Sequence, residues 1–171
     1  MRAVLHTPTM RTALVCVLLL VAAAPASAAL PRAGTLVPGR SLGGVRLGET
    51  GTRVRASLGP SYGVCRGCAT TTWYFTYRPF DRHGLAVELA GGRVSGVYTV
   101  WKPDGWRTPR GLELGASEAT LQALAGPLVP IVCSDYDARI SDDAGARTVY
   151  YVLRGRVWGF GLLRAHANPC R

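Results

Sequence analysis

The chain has 171 residues, 20 Lys and Arg against 10 Asp and Glu, and a formal net charge of +10 at pH 7. Such a basic chain is attracted to anionic wall polymers, lipid headgroups or acidic proteins, although a soluble protein with no specific anionic partner can share this composition. Nucleic acid is disfavoured as a partner because the arginines are scattered and no nucleic-acid-binding motif occurs.

The N-terminus carries the three parts of a secretory signal, which predicts a signal peptide over residues 1–28. Arg2 and Arg11 provide positive charge, residues 12–24 are apolar, and Ala26-Ser27-Ala28 offers a cleavage site. The apolar run is too short to span a bilayer and no later run is longer, so no transmembrane segment is expected. We therefore expect a secreted or envelope-associated protein, with residues 29–40 as a flexible N-terminal segment.

Two stretches of the chain repeat one helix pattern at an offset of 67 residues. Leu47-Gly48 and Leu114-Gly115 each precede a short helical stretch, and each stretch ends at a Gly-Pro pair, at Gly59 and at Gly126. This pattern predicts two equivalent units in tandem.

Polar residues just before the two stretches are the expected helix N-caps. Ser117 fits this role in the second helix, and Thr50 or Thr52 in the first. The repeat places unit 1 over residues 41–101 and unit 2 over residues 108–171.

Alternating apolar segments follow each helix and predict antiparallel hairpins. Gly91-Gly92 provides the turn in unit 1, and Arg154-Gly155 provides it in unit 2. The strands are expected at residues 71–77, 85–89, 93–101, 148–153 and 156–164. The predicted fold class is therefore α+β, with two tandem repeats that each contain a short helix followed by an antiparallel sheet of about three strands.

Residues 102–107 form a predicted linker turn, because Pro103-Asp104-Gly105 is a turn signal. Trp101 and Trp106 flank this turn. They are expected either to pack between the units or to offer an aromatic contact to a partner or a sugar.

The Leu-Gly step before each helix and the Leu-Gly-Pro or Ala-Gly-Pro ending after it resemble the β-lactamase inhibitor protein family. A single unit is also similar to the outer-membrane assembly lipoproteins of the SmpA/OmlA type. The resemblance covers about residues 41–164 and implies a concave sheet surface that binds another macromolecule without catalysis. No partner-contacting residue of the family transfers to a position in this chain.

Four cysteines follow the predicted signal peptide, and an even number suits two disulfides in an oxidising compartment. We expect Cys65 to pair with Cys68 and Cys133 with Cys170, because each bond then stays within one unit. Cys65 and Cys68 also have the Cys-x-x-Cys spacing of thiol redox proteins and of zinc sites, so both remain alternatives for that pair.

Other chemistry is sparse in this sequence. Asp135, Asp137, Asp142 and Asp143 cluster but miss the EF-hand calcium pattern, and a loop that balances nearby arginines also explains them. No nucleophile elbow accompanies the histidines. We therefore expect no cofactor, no metal and no catalytic residue, with a secreted hydrolase as a weaker alternative.

Aromatic and arginine side chains near the strands are the candidate binding residues, because Tyr, Trp and Arg are enriched at interface hot spots. The candidates are Arg93, Trp101, Trp106, Tyr150, Arg156 and Trp158. Trp158 and Phe160 are expected to share the sheet face opposite Val157. Aromatic packing against the helices is the alternative reading of these residues.

Taken together, these features predict a secreted, non-enzymatic binding protein, as an inhibitor or interaction module for an exported or envelope protein. The alternative is a basic protein that adsorbs to anionic wall polymer or to the envelope surface.

Overall fold

A computed structural model describes residues 30–31, 33–78, 81–143 and 145–171 of this chain. The predicted signal peptide, residues 1–28, lies outside the described residues.

The described residues contain two short helices and ten strands, with more residues in strands than in helices. The helices are α1 (Gly51–Leu58) and α2 (Glu118–Ala125). The strands are β1 (Leu36–Val37), β2 (Ser41–Leu42), β3 (Gly63–Val64), β4 (Thr71–Thr76), β5 (Gly84–Ala90), β6 (Arg93–Val100), β7 (Val129–Val132), β8 (Asp137–Asp143), β9 (Ala146–Leu153) and β10 (Arg156–Arg164).

Eight of these strands form a single antiparallel sheet in the order β3-β4-β5-β6-β10-β9-β8-β7, and β1 and β2 form a separate ribbon. The predicted α+β class with two helix-plus-sheet repeats is therefore wrong. The outgoing strands of the two hairpins, β6 and β10, pair with each other, with Tyr98 opposite Gly161. This pairing removes two exposed strand edges, which would otherwise leave unpaired backbone groups in each half.

The local elements agree with the sequence patterns. The side-chain oxygen of Thr50 accepts a hydrogen bond from the backbone N–H of Arg53 at the start of α1, and Ser117 accepts one from Thr120 at the start of α2. Gly59 and Gly126 end the helices with φ angles of 92° and 81°, in the region that favours glycine.

The main hydrophobic core lies between the helices and one face of the sheet. Val54 and Leu58 from α1 and Leu121 from α2 belong to the same cluster as Phe75 and Leu162 from the sheet. A smaller cluster lies on the opposite face, around Tyr151 and Leu163. Side chains alternate between the faces of a strand, so Tyr150 and Tyr151 belong to different clusters.

A register shift interrupts the pairing of β10 with β9 between Val157 and Gly159. An extra residue in one strand reverses the alternation beyond it. As a result, Val157 and Phe160 both lie in the main core, while Trp158 packs against the smaller cluster. The expectation that Trp158 and Phe160 share one face is wrong for this reason.

The predicted linker turn brings its two tryptophans into different environments. Trp106 is fully buried in the main core, and its Nε1–H donates a hydrogen bond to Tyr77 Oη at 3.0 Å. Trp101 has 54% of its surface exposed. In the segment predicted to be flexible, Leu36 is fully buried and its N–H donates to the Arg107 carbonyl.

Candidate binding site

An aromatic cavity of about 230 Å³ lies on the sheet face that the helices leave uncovered. Its aromatic lining comes from four strands and two loop positions: Tyr74, Tyr98, Trp101, Tyr136, Tyr151 and Trp158. Thr99, Val100 and Arg171 complete the lining.

Small residues between the rings create room for this cavity. Across the sheet, Tyr74 is opposite Ala86, Ala86 is opposite Tyr98, and Tyr98 is opposite Gly161. A Cβ atom at Gly161 would lie 3.0 Å from Oη of Tyr151, so a larger residue there would require the Tyr151 ring to move by a few tenths of an ångström.

The rings hold one another mainly edge to face. Tyr136 is edge-on to Tyr151 and to Trp158, with ring centroids 5.7 Å apart in both pairs. The Tyr151 and Trp158 rings are tilted, with centroids 6.0 Å apart. Such contacts contribute about 0.5–1.5 kcal/mol per pair beyond buried area, so the lining is well fixed.

Most polar groups of the lining have partners within the protein. Tyr74 and Tyr98 share a side-chain hydrogen bond. Oη of Tyr136 donates to the carbonyl of Arg171 at 2.7 Å and accepts from its N–H. The guanidinium of Arg171 forms an ion pair with Glu88 at 2.9 Å, with both side chains mostly buried.

Two polar atoms of the lining differ from the rest. Within the described residues, Oη of Tyr151 and Nε1 of Trp158 are buried and have no hydrogen-bond partner. A buried polar group without a partner costs about 1–3 kcal/mol, so such groups call for an explanation in a folded protein.

Burial keeps the hydroxyl groups of Tyr98 and Tyr151 neutral. Desolvation raises the pKa of the Tyr151 hydroxyl far above its usual value, and desolvation followed by the charges of Tyr74 and Glu88 does the same for the pKa of Tyr98. Both phenols therefore keep their O–H proton at physiological pH and remain hydrogen-bond donors.

A disulfide brings the end of the described chain to the cavity. Cys133 is bonded to Cys170, next to Arg171, and Cys65 is bonded to Cys68. Both predicted pairings are confirmed. Disulfides persist mainly in oxidising compartments, which agrees with an extracytoplasmic location.

Trp101 forms the exposed rim of the cavity. Its φ angle is 56° and that of Lys102 is 40°, so two consecutive non-glycine residues adopt left-handed backbone. Such positions cost about 1–3 kcal/mol each and concentrate at functional sites. The guanidinium of Arg82 lies over the indole ring, 5.3 Å from its centroid, and holds it at the rim.

The structure separates the six candidate residues into three groups. Trp101 and Trp158 meet at the cavity. Trp106 and Tyr150 lie in the main core. Arg93 and Arg156 lie at the two hairpin turns, away from the cavity.

Sequence reasoning missed the remaining lining residues. Alternation along β4 separates Tyr74 from Trp73 and Phe75, which was a usable signal for that residue. Tyr98 and Tyr151 had no comparable signal, because their strands meet only through long-range pairing, and Tyr136 lies in the loop before β8.

Metal-ligating groups are sparse in the described part of the chain. It contains no group of three or more His, Cys, Asp or Glu side chains arranged to hold a metal ion. Asp142 instead forms a two-bond pair with the Arg147 guanidinium at 2.7 and 2.8 Å, which lowers the pKa of the Asp142 carboxyl. Among the described residues, no helix has the length and apolar character needed to cross a membrane.

Comparisons with known proteins are informative about the fold. No protein-family model matches the chain, and no curated protein is significantly similar to it in sequence. An extracellular protein containing a SCP domain from Bacillus anthracis matches with a TM-score of 0.52 and 10% identity, over 70% of this chain and 44% of that one. A DUF4309 family protein (YjgB) from Bacillus subtilis matches with a TM-score of 0.52 and 15% identity, over 72% of this chain and 84% of that one.

At these identities the likeness is one of fold. This chain spans less than half the length of the SCP-domain protein that it resembles.

Proposed function

We propose that this chain is an exported, non-catalytic binding protein that engages a protein partner through its aromatic cavity. The observation that carries this proposal is the cavity itself: six aromatic side chains surround about 230 Å³ on the uncovered face of the sheet. Tyr and Trp in such clusters supply most of the binding energy in many protein interfaces.

The exposed rim of the cavity is evidence that its partner is a macromolecule. Trp101 is 54% exposed and held in strained backbone, a combination that offers a rigid apolar anchor at low entropic cost. The charge of Arg171 is balanced by Glu88, so the cavity favours apolar contact over capture of an anion. Inhibition of an exported enzyme is one form of this binding, in line with the resemblance to the β-lactamase inhibitor protein family.

The test is affinity capture from culture medium and envelope extract, with the oxidised protein as bait and washes of rising salt. We expect one defined protein to remain bound at about 0.5 M salt, where charge interactions are strongly screened. Trp101→Ala should weaken retention about tenfold or more, the usual effect of removing a tryptophan hot spot.

Leu153→Ala is the matched control, because Leu153 is also an exposed apolar residue, at 40%, but lies at a hairpin turn. Equal retention of the two variants would contradict a role for the cavity rim.

Adsorption to an anionic wall polymer is the second candidate, favoured by the positive charge, which is +10 for the whole chain and +8 without Arg2 and Arg11 of the predicted signal peptide. This function needs no cavity and depends on charge alone, so its binding should fall steeply as salt rises. Retention of polymer only, lost in salt and unaffected by Trp101→Ala, would favour adsorption over protein binding.

A further inference from the structure

A buried acid lies beside the cavity without lining it. Glu88 is two residues along β5 from Ala86, so both side chains project from the sheet face that carries the cavity. Its side chain is only 12% exposed. The residue opposite on β6 is Gly96, where a Cβ atom would lie 3.0 Å from Oε2 of Glu88, so glycine leaves the carboxylate its space. Acidic side chains are rarely buried to this extent unless a cation pairs with them.

Arg171 is the cation that pairs with this acid. Its Nε lies 2.9 Å from Oε1 of Glu88, and its guanidinium also donates to the carbonyl oxygens of Asn168 and Cys170. Arg171 belongs to the cavity lining, whereas Glu88 does not. The positive charge that a ligand would meet in the cavity is therefore already engaged by an acid outside the lining.

Both charges reach the tyrosines of the cavity and act on them in opposite directions. Desolvation by burial is the main cause of the raised pKa of the Tyr98 and Tyr151 hydroxyls. Among the smaller causes, the charge of Glu88 raises the pKa of both hydroxyls and the charge of Arg171 lowers it. Without Glu88, the field of Arg171 would act on the contents of the cavity without that opposition.

This pairing is important because the chain as a whole is basic, with 20 Lys and Arg against 10 Asp and Glu. Anionic polymers and lipid headgroups concentrate at such a surface. An unpaired guanidinium among aromatic rings would bind their carboxylate or phosphate groups, because charge-assisted hydrogen bonds are roughly twice as strong as neutral ones. Those anions would then compete with the protein partner for the cavity.

We propose that Glu88 is the positioning residue that sets the specificity of the cavity. By engaging Arg171, it excludes anionic groups and reserves the cavity for a neutral group of the partner. Glu88 acts through Arg171 and does not touch the ligand. This inference rests on the proposed function, because it states how the binding cavity selects among ligands.

The first test compares two small probes on the intact oxidised protein, with backbone and indole N–H resonances followed by NMR. Benzoate and benzamide differ in charge but share one ring, which the cavity of about 230 Å³ accepts, since roughly 150 Å³ holds benzene. We expect benzamide to bind about threefold or more tightly than benzoate, because a buried carboxylate would lack a free cation. Equal or tighter binding of benzoate, or no saturable binding of either probe at about 20 mM, would overturn the proposal.

Glu88→Gln removes the charge of the acid and keeps its shape. The released Arg171 should shift the preference toward benzoate by about tenfold or more, the effect of one hydrogen bond to a charged group. A loosened cavity would instead weaken both probes alike, so the ratio of the two affinities separates specificity from structure. An unchanged ratio in Glu88→Gln would overturn the proposal.

Glu113→Gln is the matched control. Glu113 is an exposed acid outside the cavity lining, and its substitution makes the same change in net charge. The ratio of benzoate to benzamide affinity should stay unchanged in this variant. Equal shifts in Glu113→Gln and Glu88→Gln would assign the selectivity to the net charge of the protein and contradict a role for Glu88.

Arg171→Gln is the reciprocal variant, and it keeps the proposal testable if Glu88→Gln does not fold. It leaves the Glu88 carboxylate without its cation. The preference for benzylamine, which is an ammonium ion at neutral pH, over benzamide should therefore rise by about tenfold relative to the unchanged protein. No gain of ammonium binding in Arg171→Gln would contradict control of the cavity charge by this ion pair.

Failure of this inference is distinguishable from failure of the proposed function. Capture of a defined protein that needs Trp101, together with a preference of the unchanged protein for benzoate, would refute the role of Glu88 and leave protein binding in place. A preference for benzamide that Glu88→Gln reverses, without capture of any protein, would refute the partner and leave the role of Glu88 in place.

Discussion

Arg93 and Arg156 occupy equivalent positions at the two hairpin turns and make equivalent contacts. The guanidinium of Arg93 donates to the Gly48 carbonyl at 2.9 Å, and that of Arg156 donates to the Gly115 carbonyl at 3.0 Å. Gly48 and Gly115 precede the two helices. Each arginine therefore ties a hairpin turn to the loop that leads into a helix, which gives both residues a structural role.

This contact predicts a stability effect for Arg156→Ala. Loss of one charge-assisted hydrogen bond at an exposed site should lower the free energy of unfolding by about 0.5–1.5 kcal/mol. Denaturant unfolding measures the change, and retention of the partner protein in the affinity capture should stay the same. Arg66→Ala, at another exposed arginine, serves as the control. Lost binding with unchanged stability would instead favour a direct contact of Arg156 with the partner.

At the scale of elements, β10 shapes the cavity through its glycines and its bulge. Gly161 lies between Tyr98 on β6 and Val149 on β9, under the Tyr151 ring. Because of the bulge after Val157, the Trp158 side chain lies on the same face of β10 as Gly161. The cavity therefore depends on features within a single strand.

Gly161→Ala should shift the Tyr151 ring by a few tenths of an ångström, because the new Cβ would meet Oη at 3.0 Å and Cε2 at 3.2 Å. We expect retention of the partner protein in the affinity capture to weaken about threefold or more, because the shifted ring disturbs its contacts with Tyr136 and Trp158 in the lining. Gly63→Ala, on β3 with nothing within 4 Å of its Cβ position, is the matched control. Retention that Gly161→Ala leaves unchanged would contradict a contribution of the Tyr151 ring position to partner binding.

At the scale of the whole molecule, the Cys133–Cys170 disulfide connects the loop after β7 to the end of the described chain. Its partners are 37 residues apart, whereas Cys65 and Cys68 are 3 apart. Because the entropy removed from the unfolded chain grows with loop length, the longer bridge should contribute about 4 kcal/mol and the shorter about 2 kcal/mol.

The double change Cys133→Ser with Cys170→Ser should therefore lower the free energy of unfolding by about 4 kcal/mol. It should also weaken ligand binding, because Arg171 and its contact with Tyr136 form one wall of the cavity. The double change at Cys65 and Cys68 is the control and should leave ligand binding intact. Thermal and denaturant unfolding measure the effect on stability, and the affinity capture measures the effect on binding of the partner protein.

The candidate site was partly predictable from the sequence. Trp101 and Trp158 were among the expected binding residues and do line the cavity. Tyr150 was predicted to be a binding residue, but its neighbour Tyr151 lines the cavity instead. Alternation assigns the two residues to opposite faces of the strand, but it does not indicate which face the helices cover. Arg171 escaped notice because the predicted Cys133–Cys170 bond did not indicate that the loop around Tyr136 lies at the cavity.

Local patterns by themselves determined the helix caps and the hairpin turns, and they favoured the disulfide pairs that the structure contains. Each of these depends on residues close together in the chain, or on the limited pairings that four cysteines allow. Tertiary structure alone decided that both halves share one sheet and that Tyr74, Tyr98 and Tyr151 surround one cavity. The pairing of β6 with β10 joins strands about 60 residues apart, and its register depends on packing across the whole sheet.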